Sequence, residues 1–471
     1  MRLEDAKKAT EGKGETSSLV SAPAVQLPKG GGAIKGMGEK FAANPVTGTG
    51  SMSVPIATSP GRAGFGPQLS LNYDSGAGNG PFGLGWNLSL SSITRKTDKG
   101  LPRYLYAEES DVFILSGAED LVPVLDDSGH QVPSKLVKVY GTSYLIATYR
   151  PRIEGLFALI ECWTETSDPA NTCWRTISRD NVTTWYGQDA GSRIFDPADP
   201  GRIFQWLICQ TNDDKGNVAV YEYVDDKDLP IDTWAVWEAN RDPRSRQANR
   251  YLKRILYGNP PPSYLPKLDP DVPDELPTEW MFEVVFDYDD HFGEFPTSQA
   301  DDPPDSRAKL VRSDAFSTHR AGFEIRTYRL CQRVLMFHRF PDVPDVGPSC
   351  LVRSTNFDYV RADASADASK PGYAVLHSVT QWSFQKTPAG SNKPYRSRQL
   401  PPVVFNYSES AVNQVAQTID ADQLENLPVG TQGPGYQWID LDGEGLSGVL
   451  SEQQGAWYYK PNLGEGTFGP M

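Results

Sequence analysis

Apolar and polar residues alternate along most of this chain, which is the pattern of half-buried β-strands. Met52, Val54 and Ile56 are separated by small or polar residues, and Leu69 and Leu71 repeat the pattern. Later segments of this kind come in pairs that flank turn residues, so each pair predicts a hairpin. The paired segments are residues 112–115 with 121–125, 144–149 with 156–163, 174–178 with 182–186, and 203–209 with 218–224.

Two further strands are predicted at residues 252–257 and 281–288, separated by a proline-rich surface loop at 259–278. Aromatic residues make up 11% of the chain, and they favour strands over helices. Only residues 420–426 suggest a short polar helix. The predicted fold class is therefore all-β, built as an irregular multi-hairpin domain.

A glycine- and proline-rich stretch covers residues 30–85, so backbone conformation is specified there more tightly than side-chain volume. Gly83 and Gly85 at its end are expected to adopt conformations unfavourable to other residues. Three apolar residues of the following strand are expected to be buried: Trp86, Leu88 and Leu90.

The same glycines could form a phosphate-binding loop, but their spacing argues against it. Gly36 and Gly38 are followed three residues later by Phe41 rather than by a third glycine. No glycine-lysine-serine/threonine sequence is present either. The stretch is interpreted as a series of tight turns and bulges.

Near the C-terminus, an acidic loop places carboxylates at its first, third and fifth positions: Asp440, Asp442 and Glu444. Such a loop can converge oxygen ligands on a hard cation such as calcium. Its ninth position, where another carboxylate is usual, is Gly448. Two interpretations stay open, a calcium site and a structural turn closed by side-chain bonds to backbone amides. No other cofactor is predicted.

Three arginines, Arg326, Arg329 and Arg333, suggest an anion site, and His319 and His338 suggest catalytic bases. The alternative is structural, because charges on a strand find cross-strand partners in a sheet. Neither histidine has an acid or a nucleophile at a recognisable motif spacing. The structural interpretation is preferred, and no catalytic residue is predicted.

The overall charge limits the kinds of partner. Forty-five basic and 60 acidic residues give a net charge of −15, which argues against nucleic acid or an anionic membrane as the main partner. The net charge does not exclude a local basic patch. The first twenty residues contain acidic side chains and lack an apolar core, and no apolar run has membrane-spanning length. The chain is expected to be made in the cytoplasm without a signal peptide and not to insert into membranes.

The five cysteines are scattered and lack zinc-ligand spacing. Cys162 and Cys173 could face each other across a hairpin, but buried free thiols are the preferred interpretation in a chain without an export signal.

Two long segments carry a family resemblance. The first is LPKGGGAIKGMGEKFAANPVTGTGSMSVPI, and the second is YDSGAGNGPFGLGWNLSLSSITRKTDKGLPRY. Both resemble the N-terminal domain of the B component of insecticidal toxin complexes (TcB), which also opens the SpvB virulence proteins. The segment VRSDAFSTHRAGFEIRTYRLCQRVLMFHRF is similar to the same family. The hairpin around NDDKGN resembles one tyrosine-aspartate (Rhs) repeat of a hollow β shell.

The resemblance implies four regions. Residues 1–26 are expected to be a disordered lead-in, 27–407 the SpvB-type β domain, 408–435 a linker, and 436–471 a first blade similar to those of integrin-like (FG-GAP/VCBS) β-propellers. A closed propeller needs several blades. The chain is therefore expected to be truncated, with an incomplete propeller.

For function, the resemblance implies a non-enzymatic structural component of a secreted toxin-delivery complex. The B component pairs with a C component to form a shell around a toxic effector, and its propeller docks on the channel-forming A component.

Two other functions are less well supported by the sequence. The first is an SpvB-type ADP-ribosyltransferase, whose required serine-threonine-serine and glutamate-x-glutamate sequences are both absent here. The second is a propeller-based adhesion module, against which the missing export signal counts.

Overall fold

The computed structural model describes residues 40–44, 49–106, 110–116, 119–239, 241–261, 264, 275–299, 311–361, 372–388, 390–407, 416, 418–430, 433–441, 446–464 and 466–471. The predicted lead-in, residues 1–26, lies outside the described residues, as do Gly36 and Gly38.

The described residues form strands, turns and short 3-10 turns, and no α-helix occurs among them. The all-β prediction is confirmed. In chain order the strands are β1 (Lys40–Asn44), β2 (Thr49–Ile56), β3 (Leu69–Asp74), β4 (Asn79–Gly80), β5 (Gly83–Leu84), β6 (Trp86–Leu88), β7 (Ser92–Arg95), β8 (Phe113–Leu115), β9 (Glu119–Pro123), β10 (Lys135–Val139), β11 (Thr142–Pro151), β12 (Leu159–Glu165), β13 (Thr172–Ile177), β14 (Thr183–Tyr186), β15 (Arg193–Asp196), β16 (Asp199–Asn212), β17 (Val218–Val224), β18 (Tyr251–Tyr257), β19 (Phe282–Asp287), β20 (Phe316–Thr318), β21 (Ile325–Thr327), β22 (Arg333–Phe340), β23 (Gly347–Arg361), β24 (Ala374–Lys386), β25 (Tyr395–Gln399), β26 (Val403–Val404), β27 (Tyr436–Ile439), β28 (Gly448–Gln453), β29 (Ala456–Lys460), β30 (Asn462–Gly464) and β31 (Thr467–Phe468). The 3-10 turns are Arg62–Gly64, Ala190–Ser192, Ser245–Gln247 and Ala421–Gln423.

The chain divides into two compact units. One comprises Met1–Ser53, Tyr73–Gly76 and Val412–Met471, and the other comprises Val54–Asn72 and Ala77–Ala411. The larger unit contains an antiparallel pair at each of the four predicted hairpins. In the last one the paired residues are 210–212 with 218–220, just beyond the predicted first segment 203–209.

Eight strands of the larger unit close into a ring. Each pairs antiparallel with the next in the order β7, β8, β9, β11, β12, β13, β14 and β16. The ring closes because β16 also pairs with β7, with Trp206 opposite Ile93. Closure removes the exposed strand edges that an open sheet would have.

Aromatic side chains fill the interior of this ring. The rings of Phe113 on β8 and Trp174 on β13 have centroids 4.9 Å apart, although these strands are not neighbours. Tyr149 and Trp206 complete the cluster, at 5.0 and 6.0 Å from Trp174. Such edge-to-face contacts across the interior show that the ring is a packed core.

Arg95 is also buried in this interior. Its guanidinium forms an ion pair with Asp111 at 2.6 Å and donates to the carbonyl of Ile203 at 2.7 Å. It also lies over the rings of Phe113 and Trp206, 5.2 and 5.4 Å from their centroids. A buried cation needs such compensation, since burial removes its hydration.

From β16 the sheet continues outside the ring through β17, β18, β19, β22, β23, β24 and β25, all antiparallel neighbours. Strand β19 is buried along its whole length, which agrees with the strong apolar strand predicted there. Strand β26 pairs with β24 beyond the end of β25.

The glycine expectations are confirmed for Gly83 and Gly85, whose φ angles are +90° and +80°. A Cβ on Gly83 would lie 2.8 Å from the carbonyl oxygen of Ala374. Trp86 is buried as expected and donates from Nε1 to the Tyr407 hydroxyl at 2.8 Å. Two of the three apolar residues are only half-buried: Leu88 and Leu90. Strand β6 ends at Leu88, so the burial expected further along the chain is incomplete.

In the smaller unit, β1 pairs with the first residues of β2. Strands β27, β28 and β29 form an antiparallel sheet, and β30 pairs with β31. The segment predicted as a blade does form strands, while its membership of a propeller stays a prediction, as do the bounds of the four predicted regions. The predicted polar helix is only the 3-10 turn Ala421–Gln423.

Candidate protein-interaction site

The connection between β17 and β18 presents three highly exposed apolar side chains. Trp234 is 93% exposed, Val236 87% and Trp237 69%. Clustered exposed apolar side chains often mark a protein interface, and tryptophan is enriched among the residues that dominate binding energy there. We call residues 227–239 the tryptophan loop.

One end of the tryptophan loop is anchored by the buried carboxylate of Glu238. Its Oε1 lies 3.0 Å from Nε of Arg326 in an ion pair that lacks the alignment of a hydrogen bond. Arg241 and Arg246 approach the same carboxylate at 3.5 and 3.7 Å. The Tyr328 hydroxyl donates to Oε2 at 2.8 Å. Three cations and a hydroxyl thus hold the loop at this point.

The other end of the loop follows the buried residue Asp226. Nε of Arg329 donates to its Oδ1 at 2.9 Å, and the Tyr251 hydroxyl donates to Oδ2 at 3.0 Å. Burial raises the pKa of Asp226 to about 7, and the opposing effect of Arg329 is smaller. Arg329 also donates to the backbone carbonyl of Asp225 at 2.7 Å. Both ends of the loop are therefore fixed to the segment that contains β21.

These contacts revise the expectation for the three arginines. Arg333 does have a cross-strand partner, Asp287 on β19, at 2.6 Å. Arg329 instead pairs with Asp226 on a distant connection, because β21 ends at Thr327 and Arg329 lies beyond it, so the cross-strand expectation is wrong for this residue. Arg326 donates to its cross-strand partner Ser317 at 3.1 Å, but its acidic partner is Glu238 on the same connection. All three guanidiniums are neutralised internally, and their contacts do not form an anion site.

His338 has a partner that sequence reasoning missed. Its Nε2 lies 2.7 Å from Oγ of Ser59, a residue 279 positions away. No local motif could have revealed a pair so far apart in sequence. Burial lowers the pKa of His338, and the ring packs against Phe282 and Phe340. Within the described part of the chain no carboxylate binds this imidazole, so the third member of a catalytic triad is not provided there.

The predicted calcium loop is only partly described. Asp440 belongs to the described residues, whereas Asp442 and Glu444 lie outside them. The calcium site therefore stays a prediction. Among the described residues, no cluster of three or more His, Cys, Asp or Glu side chains could hold a metal ion.

All five cysteines are free, as preferred. Cys162 lies opposite Trp174 and Cys173 opposite Trp163, so the two thiols point to opposite faces of their hairpin. In the described ranges, no helix is long and apolar enough to cross a membrane.

Comparison with known proteins places this all-β architecture in a family. The family model described as Salmonella virulence plasmid 65kDa B protein (SpvB) matches residues 44–340. The chain belongs to this SpvB family.

Solved structures extend the similarity. A crystal structure of TcdB2-TccC3 aligns with 94% of this chain and 20% of its own, with a TM-score of 0.70 and 30% identity. The Photorhabdus luminescens Tc holotoxin pore aligns with 94% of this chain and 19% of its own, with a TM-score of 0.71 and 30% identity. The N-terminal domain of the effector protein SpvB from Salmonella typhimurium is covered completely by 70% of this chain, with a TM-score of 0.58 and 31% identity. The resemblance to TcB proteins with an SpvB-type domain is confirmed.

Among curated proteins, mono(ADP-ribosyl)transferase SpvB of Salmonella choleraesuis is 35% identical over 339 residues, which are 69% of this chain and 52% of that protein. The Salmonella dublin protein of the same name has the same identity and coverage. The chain thus spans about half the length of the curated relatives it matches.

Proposed function

We propose that this chain is a non-enzymatic structural component of a toxin-delivery complex, the N-terminal part of a B-component shell. In this role it pairs with a C component, encloses a toxic effector, and docks through its C-terminal segment on a channel-forming A component. It acts outside the cell as part of the complex. The observation that carries the proposal is the similarity to TcdB2-TccC3 over 94% of this chain.

The fold supports a structural role for this protein. The ring is filled by Trp174 and its aromatic neighbours, so its interior is a core rather than a ligand cavity. The long sheet beyond the ring, from β17 to β25, provides the extended surface that a shell wall needs. The tryptophan loop provides an anchored apolar contact for another protein.

Co-expression with TccC3, the component named in the solved neighbours, tests the proposal. We expect the two proteins to elute together in size-exclusion chromatography and the effector region of TccC3 to resist trypsin. Separate elution together with unchanged digestion of TccC3 would contradict the shell function.

Paired variants test whether the tryptophan loop contributes to this assembly. Trp234→Ser with Trp237→Ser should reduce co-elution at least about tenfold, because removing two central aromatic residues costs more than about 1.4 kcal/mol of binding. The matched control is Ile153→Ser with Phe157→Ser, which removes two apolar side chains of similar exposure from another loop. Equal loss in both double variants would show that the loop has no specific role.

A second candidate follows from the curated relatives, whose name is mono(ADP-ribosyl)transferase SpvB. On that view this chain is the non-catalytic part of such an enzyme. Co-expression with TccC3 separates the two candidates, because only the shell component is expected to elute together with it. Both candidates predict no nicotinamide release from NAD by this chain, and activity that survives repurification and disappears on heating would contradict both.

A further inference from the structure

The hairpin of β24 and β25 carries a basic surface that the proposed function does not use. From Ser383 to Gln399 the sequence has four basic residues and no acidic one, in a chain of net charge −15. The four are Lys386, Lys393, Arg396 and Arg398. This is the local basic patch that the overall charge left open.

Two of these side chains, Arg396 and Arg398, are exposed on β25, and neither forms an ion pair with an acidic residue of the described chain. A third exposed arginine, Arg353 on β23, lies in the same row. Ser383 on β24 is opposite both Arg353 and Arg398, so side chains at these three positions share one face of the sheet. Three cations without acidic partners on one face favour an anionic ligand.

The backbone at this place is also available for pairing. Strand β25 pairs with β24 on one side, and in the described ranges no strand register places a neighbour on its other side. An edge strand presents unpaired N–H and C=O groups to any extended chain. Pro401 and Pro402 follow β25 and cannot donate hydrogen bonds, which limits this edge to about the five residues of the strand.

The opposite face of β25 lines a small cavity. Ser397 borders a space of about 120 Å³ together with the rings of Trp382 and Phe384 and the polar side chains of Ser354 and Asn356. The charged side chains of Glu294 and Arg333 also line it, and each forms an ion pair, with Lys393 and Asp287 respectively. Successive residues of a strand point to opposite faces. A strand added to β25 would therefore place alternate side chains towards the arginines and the others on the side of this cavity.

We propose that β25 binds an extended acidic polypeptide segment, which adds to the sheet as a further strand. Backbone hydrogen bonds to the edge provide affinity, the arginine row selects acidic residues at alternate positions, and the cavity face receives the intervening apolar side chains. Nucleic acid and anionic lipid share the negative charge but lack backbone amides that could pair with the edge. The proposal does not depend on the toxin-complex function.

Charged residues on an edge strand can also serve to prevent aggregation. That role is served equally by β10, another basic edge strand, whose Lys135 and Lys138 are exposed and which pairs only with β11 among the described strands. Cavity-lining residues distinguish β25 from β10. Strand β10 therefore provides the matched control.

The test is fluorescence anisotropy with a labelled decapeptide of alternating Glu and Val, titrated with the whole chain at low salt. Arg396→Glu with Arg398→Glu should weaken binding at least about tenfold, because two charge-assisted contacts become repulsive. Lys135→Glu with Lys138→Glu should leave affinity unchanged. A peptide N-methylated at alternate residues, which cannot pair with the edge, should bind at least about tenfold more weakly.

Several results would overturn the proposal. One is equal affinity for the N-methylated peptide, and another is no binding of the alternating peptide at millimolar concentration. Tighter binding of a dT10 oligonucleotide or of phosphatidylserine vesicles than of the peptide would assign the basic face to those anions. If the β10 and β25 double variants weaken peptide binding equally, the overall charge of the protein explains the effect and β25 is not the binding strand.

Discussion

The Nε2 atom of buried His291 lies 2.9 Å from the Nζ atom of Lys253. The Nδ1 atom of the same ring lies 3.0 Å from the carbonyl oxygen of Thr297, which can only accept, so Nδ1 carries the proton. Nε2 then accepts from the ammonium group of Lys253, which also pairs with Asp290 at 2.6 Å. Burial and the charge of Lys253 both lower the pKa of His291.

This arrangement predicts a loss of stability in mild acid. The pKa of His291 is below its usual value of 6.5 in the folded state, so the unfolded state binds the proton first as the pH falls. The contribution of His291 to the free energy of unfolding should fall below pH 6.5, by up to about 1.4 kcal/mol per pH unit. Buried Asp226 contributes in the opposite direction, because its pKa is raised in the folded state. Urea unfolding at pH 7.5, 6.5 and 5.5 measures it.

The histidine contribution can be separated from the neighbouring groups. Burial raises the pKa of Asp287, and Lys253 holds the pKa of Asp290 below its usual range against the effect of burial. Both carboxylates and Asp226 remain in a His291→Gln variant, so the comparison removes their effects except for the part that depends on the charge of His291. The variant should lose less stability between pH 7.5 and 5.5 than the wild type, while exposed His319→Gln should not. Equal slopes in all three proteins would refute the assignment.

Alanine substitution should reduce stability strongly at Trp174 and hardly at all at Trp234. Trp174 is fully buried inside the ring and contacts Phe113, Tyr149 and Trp206, so Trp174→Ala should cost about 3–5 kcal/mol of stability. Trp234 is exposed, and Trp234→Ala should change stability by less than about 0.5 kcal/mol. Denaturant unfolding of both variants measures the difference. Similar losses would mean that the tryptophan loop packs against the body of the protein.

The alternating pattern predicted the hairpins because each pairs neighbouring segments, and strand period and turn residues are local properties. Closure of the ring was not predictable in this way. It depends on β7 pairing with β16, where Ile93 and Trp206 are 113 positions apart and both belong to strands with other partners. Trp174 and Trp206 are core residues because the ring closes around them. From the sequence alone, two tryptophans could equally well belong to a protein interface.

The candidate site, too, depends on contacts between residues that are far apart in the sequence. The arginine-rich segment was visible in the sequence, and pairing of its charges across neighbouring strands was the preferred interpretation. The acidic partners Glu238 and Asp226 were not identified, because they lie about 90 to 100 positions from their tyrosine and arginine contacts. Exposure of Trp234 is equally a property of the folded chain, since nothing in the sequence TWAVW separates it from a buried strand.

Removing the anchor of the tryptophan loop should destabilise the protein. Glu238→Gln leaves Arg326 and Arg246 without their carboxylate, which should cost about 3–5 kcal/mol, whereas Arg241 keeps its ion pair with Glu324 at 2.8 Å. The loop should also be cut by protease sooner than in the wild type. Asp232→Asn, an exposed change on the same loop, is the control and should affect neither measurement. An unchanged cleavage rate in the Glu238 variant would show that other contacts hold the loop.

Alanine variants of Gly187 and Gly129 distinguish the cost of backbone strain from the cost of steric overlap. Both have positive φ, +65° and +79°, so replacement by alanine should cost about 1–2 kcal/mol at either site. At Gly129 an added Cβ has no neighbour within 4 Å. At Gly187 it would overlap the indole of Trp206 and also lie 3.0 Å from its Cβ and Cγ atoms.

Because Trp206 is held inside the ring and donates to the Thr172 carbonyl at 2.7 Å, it cannot move aside freely. Gly187→Ala should therefore lose about 1–3 kcal/mol more than Gly129→Ala in urea unfolding. Equal losses would mean that the ring interior adjusts around Trp206, and the packed core described for it would be wrong.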